Sequence, residues 1–291
     1  MPATVAMRWY TDYHKHDEEI MIHEKSVRLD IGALKAVVKR YFFTCAGAAK
    51  ILTTGFFQKR YRQHVAMLVD TVRKPTVYHP RLRERPVTSC IEFDEKVRLI
   101  SPEEISGNVS LFELLCIVHL VRKSTPRRIF EFGTFNGRTV LNMAANSPKD
   151  AVLYTIDLPV TPGPPSKEKL DPEEMLFVNS SARESRLYET TPWKKKIIQY
   201  TRDSTQFDLE ELAGSIDFVF IDASHRYENV LADTRSAFAL LRSKGGIILW
   251  HDYGGWEGVT RAVDQTYERL SKPENFFRIA NTSLALYMPV A

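Results

Sequence analysis

The chain has 291 residues, 44% of them hydrophobic, and a net charge of +4 at neutral pH, enough for one sizeable core with an extension. Its three cysteines, Cys45, Cys90 and Cys116, are too few and too scattered for a disulfide framework or a zinc site, so a reducing, cytoplasmic setting is expected. No apolar run reaches the ~18 residues of a membrane span, and the first thirty residues are too charged for a secretory signal.

Charge is distributed unevenly. Residues 1–90 hold 16 Lys and Arg against 8 Asp and Glu, whereas 91–291 hold 24 against 28. This divides the chain into a basic N-terminal helical extension with its linker (1–90) and a separate catalytic domain (91–291). Residues 1–30 are polar, and the clustered His14, His16 and His23 read as part of a solvated arm sooner than as a metal site. From Ile31, apolar Leu34, Val37, Val38, Tyr41, Phe42 and Cys45 recur at helical spacing, with Lys35, Lys39 and Arg40 opposite. The stretch 31–62 can lie peripherally on an anionic membrane, or pack on the catalytic domain or on a second copy to give a homodimer. Nucleic acid is not an expected partner, because the aromatics sit on the apolar side and do not alternate with the cations. Residues 73–90, with three prolines and five cations, read as an exposed linker.

In the catalytic part, 101–107 has the composition of a helix start, and Leu111, Leu114, Leu115, Val118 and Val121 line one face of the helix. Arg128–Phe132 reads as a buried strand with Glu131 near its end. Gly133 and Gly137 let the backbone turn tightly and approach a ligand, Asn136 and Thr139 can cap the next helix, and Val140, Leu141 and Ala144 form its apolar side. A second strand, 151–157, ends at Asp157. A carboxylate there can hold a ribose diol, or simply be a solvated strand end. The spacing G-x-x-x-G, with no third glycine, is not the dinucleotide fingerprint and suits a ligand without phosphates.

Residues 159–192 hold six prolines and leave from the edge where ligands bind; they read as a lid over the substrate or as a surface loop. A third strand ends at Asp203, which can face an adenine or cap a helix toward Phe207. The fourth, 215–222, ends at Asp222. A helix follows, with Tyr227, Val230, Leu231, Thr234, Phe238 and Leu241 on one face and Gly245–Gly246 as its stop. The fifth, 247–253, carries His251 and Asp252, and 276–280 and 283–290 form a closing hairpin about Asn281 and Thr282. The expected fold is α/β: a doubly wound, Rossmann-like, seven-stranded, mostly parallel sheet with a C-terminal antiparallel hairpin. Parallel fourth and fifth strands would bring Asp222, His225, His251 and Asp252 to one edge. Such a cluster can bind a divalent metal or position a proton acceptor, although strand-end aspartates also serve as helix caps.

From about Leu111 to Met288 the chain resembles the class I S-adenosylmethionine-dependent methyltransferases. Within them it is most similar to the metal-assisted O-methyltransferases, catechol-type enzymes and their sugar- and natural-product-methylating relatives. EFGTFNGRT, from Glu131, matches the catechol-type cofactor loop E-x-G-x-x-x-G-x-S/T. The resemblance implies cofactor contacts for Glu131, Gly133, Thr134, Gly137, Thr139, Asp157 and Asp203. FIDASHRYENVLAD resembles the fourth-strand signature, making Asp222 a metal ligand and placing His225 where catechol-type enzymes keep a lysine base. LLRSKGGIILWHDY matches the fifth-strand segment, with His251-Asp252 in place of Asp-Asp or Asp-Asn. The implied metal ligands are Asp222, His251 and Asp252, for Mg or Mn, with the imidazole favouring manganese, iron or zinc over magnesium. Without a metal, His225 or His251 would be the base. The implied partner is a small hydroxyl acceptor, such as a sugar. The competing expectations are a nicotinamide-dependent oxidoreductase and a non-catalytic membrane- or partner-binding module.

Overall fold

A computed structural model describes residues 78–289 except 104, 106, 159–185 and 244, and Thr76–Ala291 form one compact unit. The expected arm, the amphipathic stretch 31–62 and most of the 159–192 segment lie outside the described residues.

Eight strands make one sheet: β1 (Glu84–Arg85), β2 (Arg128–Phe132), β3 (Val152–Asp157), β4 (Ile197–Thr201), β5 (Phe218–Ile221), β6 (Ile247–Trp250), β7 (Phe276–Ile279) and β8 (Ala285–Tyr287). Their order is β1-β7-β8-β6-β5-β2-β3-β4. Only β8 runs against its neighbours, pairing antiparallel with both β6 and β7. The parallel sheet and terminal hairpin are as the sequence implies. The eighth strand is not, since 73–90 reads as linker. Glu84 and Arg85 instead pair in parallel with Arg278 and Ile279, and the amides of Arg81 and Leu82 donate to the buried Tyr253 hydroxyl. An edge strand covered on one side needs no apolar run, so RLRER carries no strand pattern.

Helices cover both faces. On one side lie α1 (Leu111–Ser124) and α2 (Arg138–Asn146); on the other lie α3 (Tyr227–Leu240) and α4 (Glu257–Arg269). Successive residues of β5 serve the two cores, with Phe218 and Phe220 among α1 and α2 and with Val219 and Ile221 among α3 and α4. Burial on both faces explains the unbroken apolar runs FVFI and IILW.

Helix boundaries differ from expectation in three places. The described residues of 101–107 form no helix. Helix α1 starts after Ser110, whose hydroxyl accepts from the Glu113 amide while the Glu113 carboxylate accepts from the Ser110 amide, a capping box. Helix α2 starts from Gly137 with no side-chain cap, although Asn136 Oδ1 accepts from the Arg138 amide. Helix α3 ends at Leu240, ahead of Gly245.

One face of α2 is polar yet buried. Arg138, Asn142 and Asn146, four residues apart, grip the backbone of the preceding extended segment. Asn142 and Asn146 each accept from and donate to one residue, Ile100 and Arg98 respectively. The Arg138 guanidinium donates to the carbonyls of Ser101 and Val109, both at 2.7 Å. This satisfies a strand-like segment that no sheet partner covers.

Candidate active site

Sheet order reverses beside β2: β3 and β4 lie on one side of it, β5 and β6 on the other. The crevice at the carboxyl ends of β2 and β5 is where such sheets take ligands. Gly133 sits in it at φ +90°, and a side-chain carbon there would lie 1.9 Å from the Asp222 carbonyl oxygen. Its glycine identity thus lets the turn after β2 touch the backbone after β5. Gly137, at φ +80°, has its side-chain space filled by the Tyr188 ring. The Tyr188 hydroxyl is in turn bonded to Gln199.

Glu131 is fully buried and accepts from the Thr155 hydroxyl at 2.6 Å; Thr134 lies 2.7 Å from that hydroxyl. Burial pushes the Glu131 carboxyl well above the usual range, against the Thr155 bond. Asp157 Oδ2 accepts from the Phe135 amide at 2.9 Å and Oδ1 from the Leu158 amide at 2.9 Å. It also faces the Arg186 guanidinium at 3.5 Å. The carboxylate expected at a ribose is thus built into the glycine turn. Thr139 is buried in the first turn of α2. Asp203 stands apart and closes its own turn, accepting from the Thr205 amide and hydroxyl; no helix follows directly. Its neighbour Ser204 donates to the buried Asp233.

The four polar residues of the fourth and fifth strands do meet. β5 and β6 are paired neighbours. His251 Nδ1 lies 3.0 Å from Asp222 Oδ1 and 3.2 Å from Asp252 Oδ2, and His225 Nε2 lies 2.9 Å from Asp252 Oδ2. The alternative for Asp222, a helix cap, is not what the structure shows, since α3 begins after Arg226 with no side-chain cap. Asp252 adopts φ +63°, a left-handed conformation that aspartate tolerates better than most residues. Burial lowers the His251 pKa, but Asp222 and Asp252 outweigh it and hold the imidazole well above its ordinary value. Burial raises Asp252, and the two histidines outweigh that in turn. Asp222, His251 and Asp252 offer ligand atoms within 4.8 Å of one another, a carboxylate–imidazole set that fits a divalent transition metal.

Several neighbours lack any mark in the sequence reading. Glu113 reaches in from α1. Its Oε2 lies 3.3 Å from His251 Nε2, and its Oε1 accepts from the Ser283 amide at 2.7 Å and hydroxyl at 2.8 Å. The spacing S-x-x-E at 110–113 was the available signal. Trp256 stacks on His225, with centroids 4.1 Å apart and planes within 5°. Gly258 makes this possible, because a side-chain carbon there would lie 2.2 Å from the His225 carbonyl oxygen. Beside His251 and Asp252, a cavity of about 390 Å³ opens toward Asn108, Ser110 and Ser283. Among the described residues, no helix is long and apolar enough to cross a membrane.

Residues 130–253 match the protein family described as Methyltransferase domain. No curated protein matches the chain. Among solved structures, the chain is similar to the O-methyltransferase TomG of Streptomyces achromogenes, involved in tomaymycin synthesis and solved with S-adenosylmethionine. The identity is 19% over 77% of this chain and 96% of that one, with a TM-score of 0.46. An O-methyltransferase from Bacillus cereus in complex with S-adenosylhomocysteine is 17% identical over 63% of this chain and 82% of that one, TM-score 0.43. The methyltransferase PaMTH1 of Podospora anserina, bound to S-adenosylhomocysteine, is 14% identical over 63% of this chain and 80% of that one, TM-score 0.43.

Proposed function

We propose that this chain, a class I S-adenosylmethionine-dependent methyltransferase, transfers its methyl group to a hydroxyl of a sugar or another small natural product. The observation that carries the reading is the meeting of Asp222, His225, His251 and Asp252 beside both the glycine turn and a polar cavity. On the cofactor side, Gly133 and the backbone to Gly137 shape the turn, with Glu131, Thr134 and Thr139 behind it. Asp157 is assigned to the ribose hydroxyls, and Asp203 to the adenine edge.

Methyl transfer is an in-line displacement, and alignment supplies much of its rate. His225 is assigned as the base that takes the acceptor's proton. Asp252 orients its ring and stabilises the cation that forms, and the Trp256 face fixes the ring plane. His251 faces carboxylates from both ring nitrogens and serves better as a fixed cation or metal ligand than as a base. Asp222, His251 and Asp252 would hold a divalent ion, manganese sooner than magnesium, once His251 gives up its proton. Bound there, the ion supplies a Lewis acid that lowers the pKa of the acceptor hydroxyl.

The cytoplasm is the proposed setting, with residues 31–62 as the surface toward a second copy or an anionic membrane.

The test is calorimetry with S-adenosylhomocysteine, then mass-spectrometric detection of methyl transfer to a panel of hydroxylated acceptors, with EDTA or added manganese. Asp222→Asn and Asp252→Asn are expected to abolish turnover while retaining cofactor binding. Failure of the unaltered protein to bind S-adenosylhomocysteine refutes the reading.

A further inference from the structure

Asp252 and Trp256, the two groups that hold His225, come from one tight turn. The Asp252 carbonyl accepts from the amides of Gly255 and Trp256, both at 3.1 Å. Asp252 itself stands in the left-handed region at φ +63°, where a residue other than glycine persists only if its surroundings over-determine it. Ser283 supplies part of that restraint, its hydroxyl accepting from the Asp252 amide and its carbonyl from the Tyr253 amide. Thr260 on α4 supplies more, accepting from the Gly254 amide at 2.9 Å.

Tyr253 lies between the two in sequence and is 0% exposed, packed in the core under α3 and α4. A phenol offers one donor and two acceptor positions, and here all three are used. The hydroxyl donates to Asp264 Oδ1 on α4 at 2.6 Å, and it accepts from the amides of Arg81 and Leu82 at 2.9 and 2.8 Å. The first bond ties the turn to α4. The other two tie it to a strap, residues 80–82, that leads into β1. Gly254, at φ +84°, shows how closely these parts meet: a side-chain carbon there would lie 3.3 Å from Arg278 Nη1 and 3.5 Å from Pro80. A phenylalanine would fill the same apolar space, so the hydroxyl is there for its partners, which two separate elements supply.

We propose that Tyr253 is a positioning residue for methyl transfer: by tying the 252–256 turn to α4 and to the strap before β1, it sets Asp252 at Nε2 of His225 and Trp256 on the ring face. It acts through these two neighbours. The strap, which has no apolar pattern of its own, thereby becomes part of the support of the site. A base works only within hydrogen-bond reach and in the right plane, so drift of the turn by about 1 Å costs rate. The inference rests on the methyltransferase reading for the use of His225, whereas the hold on its ring is testable without that reading.

The experiment uses the full chain and reads the His225 ring by proton NMR, its signals assigned with His225→Gln. With centroids 4.1 Å apart and planes within 5°, the Trp256 ring current displaces these signals from their ordinary positions. Tyr253→Phe keeps the ring and removes the hydroxyl. It is expected to lose about half of that displacement or more, with S-adenosylhomocysteine affinity by calorimetry within about threefold of wild type. Turnover of whichever hydroxylated acceptor the wild type methylates is expected to fall about tenfold or more, with KM within about threefold. Asp264→Asn retains an acceptor for the hydroxyl and is expected to keep the displacement. Asp264→Leu has a similar shape without the acceptor and is expected to lose it; this pair decides the matter should Tyr253→Phe fail to fold. Leu153→Ala lowers the melting temperature through the other core and is expected to leave the His225 signals in place, so lost stability alone does not give the result. An undiminished displacement in Tyr253→Phe or in Asp264→Leu overturns the inference. If the wild type fails to bind S-adenosylhomocysteine, the methyltransferase reading falls, and the His225 signals still test the hold of Tyr253 on the turn.

Discussion

Asp233 offers a direct test of how this fold treats charge. It lies on α3, 2% exposed, and its Oδ1 accepts from the Ser204 hydroxyl at 2.7 Å. Burial pushes its carboxyl up from 3.8 to about 7, with Asp203 adding to the rise and the Ser204 bond opposing it. The folded state therefore holds this proton more tightly than the unfolded chain does. The associated stability is full below the ordinary carboxylate pKa, declines as pH rises through about 4 to 7, and is gone above. Asparagine keeps the acceptor for Ser204 and never ionises. At about 1.4 kcal/mol for each pH unit between 5 and the folded value, the advantage of Asp233→Asn over wild type grows by roughly 2–3 kcal/mol from pH 5 to pH 8. In a domain of this size that corresponds to roughly 4–12 °C in melting temperature. Urea and thermal melts of both proteins at the two pH values measure it. Melting curves that shift in parallel, with a constant difference between the proteins, refute the reasoning.

Gly133→Ala forces a methyl group against the Asp222 carbonyl and a left-handed conformation on alanine. A loss of about 3 kcal/mol or more is expected in urea titration, and a loss below 1 kcal/mol would contradict the packing described. Glu113→Gln keeps its shape but replaces a charge-assisted partner of His251 and the two serines. It should lower stability by about 1–3 kcal/mol without abolishing S-adenosylhomocysteine binding. Arg186→Ala releases the Asp157 carboxylate from a cation 3.5 Å away. Cofactor affinity is expected to tighten about threefold or more by calorimetry, because the freed carboxylate sits in a mostly buried pair and gains a hydroxyl partner in place of the cation; weaker binding would assign Arg186 to the cofactor instead.

The sheet was legible because its strands obey a local rule. FVFI and IILW are buried on both faces, and each run is bounded by polar residues that mark its carboxyl end. The meeting of Asp222 with His251 and Asp252 followed from placing those ends side by side. What escaped has no local signature. Glu84–Arg85 is a strand only because Arg278 and Ile279 lie beside it. Glu113 belongs to the site through His251 and Ser283, 138 and 170 positions away. At Gly137, the ring that occupies the side-chain space comes from Tyr188, 51 positions on. Glycine spacing reports that room is needed, and not what fills it.

β8 lies between β6 and β7 although it comes last of the strands, and the residues just before it complete the cluster. Ser283 donates to Glu113 and accepts from the Asp252 amide. During synthesis, the glycine turn and both histidines are therefore made before the group that fixes their neighbours exists. A chain lacking this last hairpin would keep the glycine turn but leave Glu113 without its Ser283 donors. Docking of the last hairpin is therefore what completes the hydrogen bonds of this cluster.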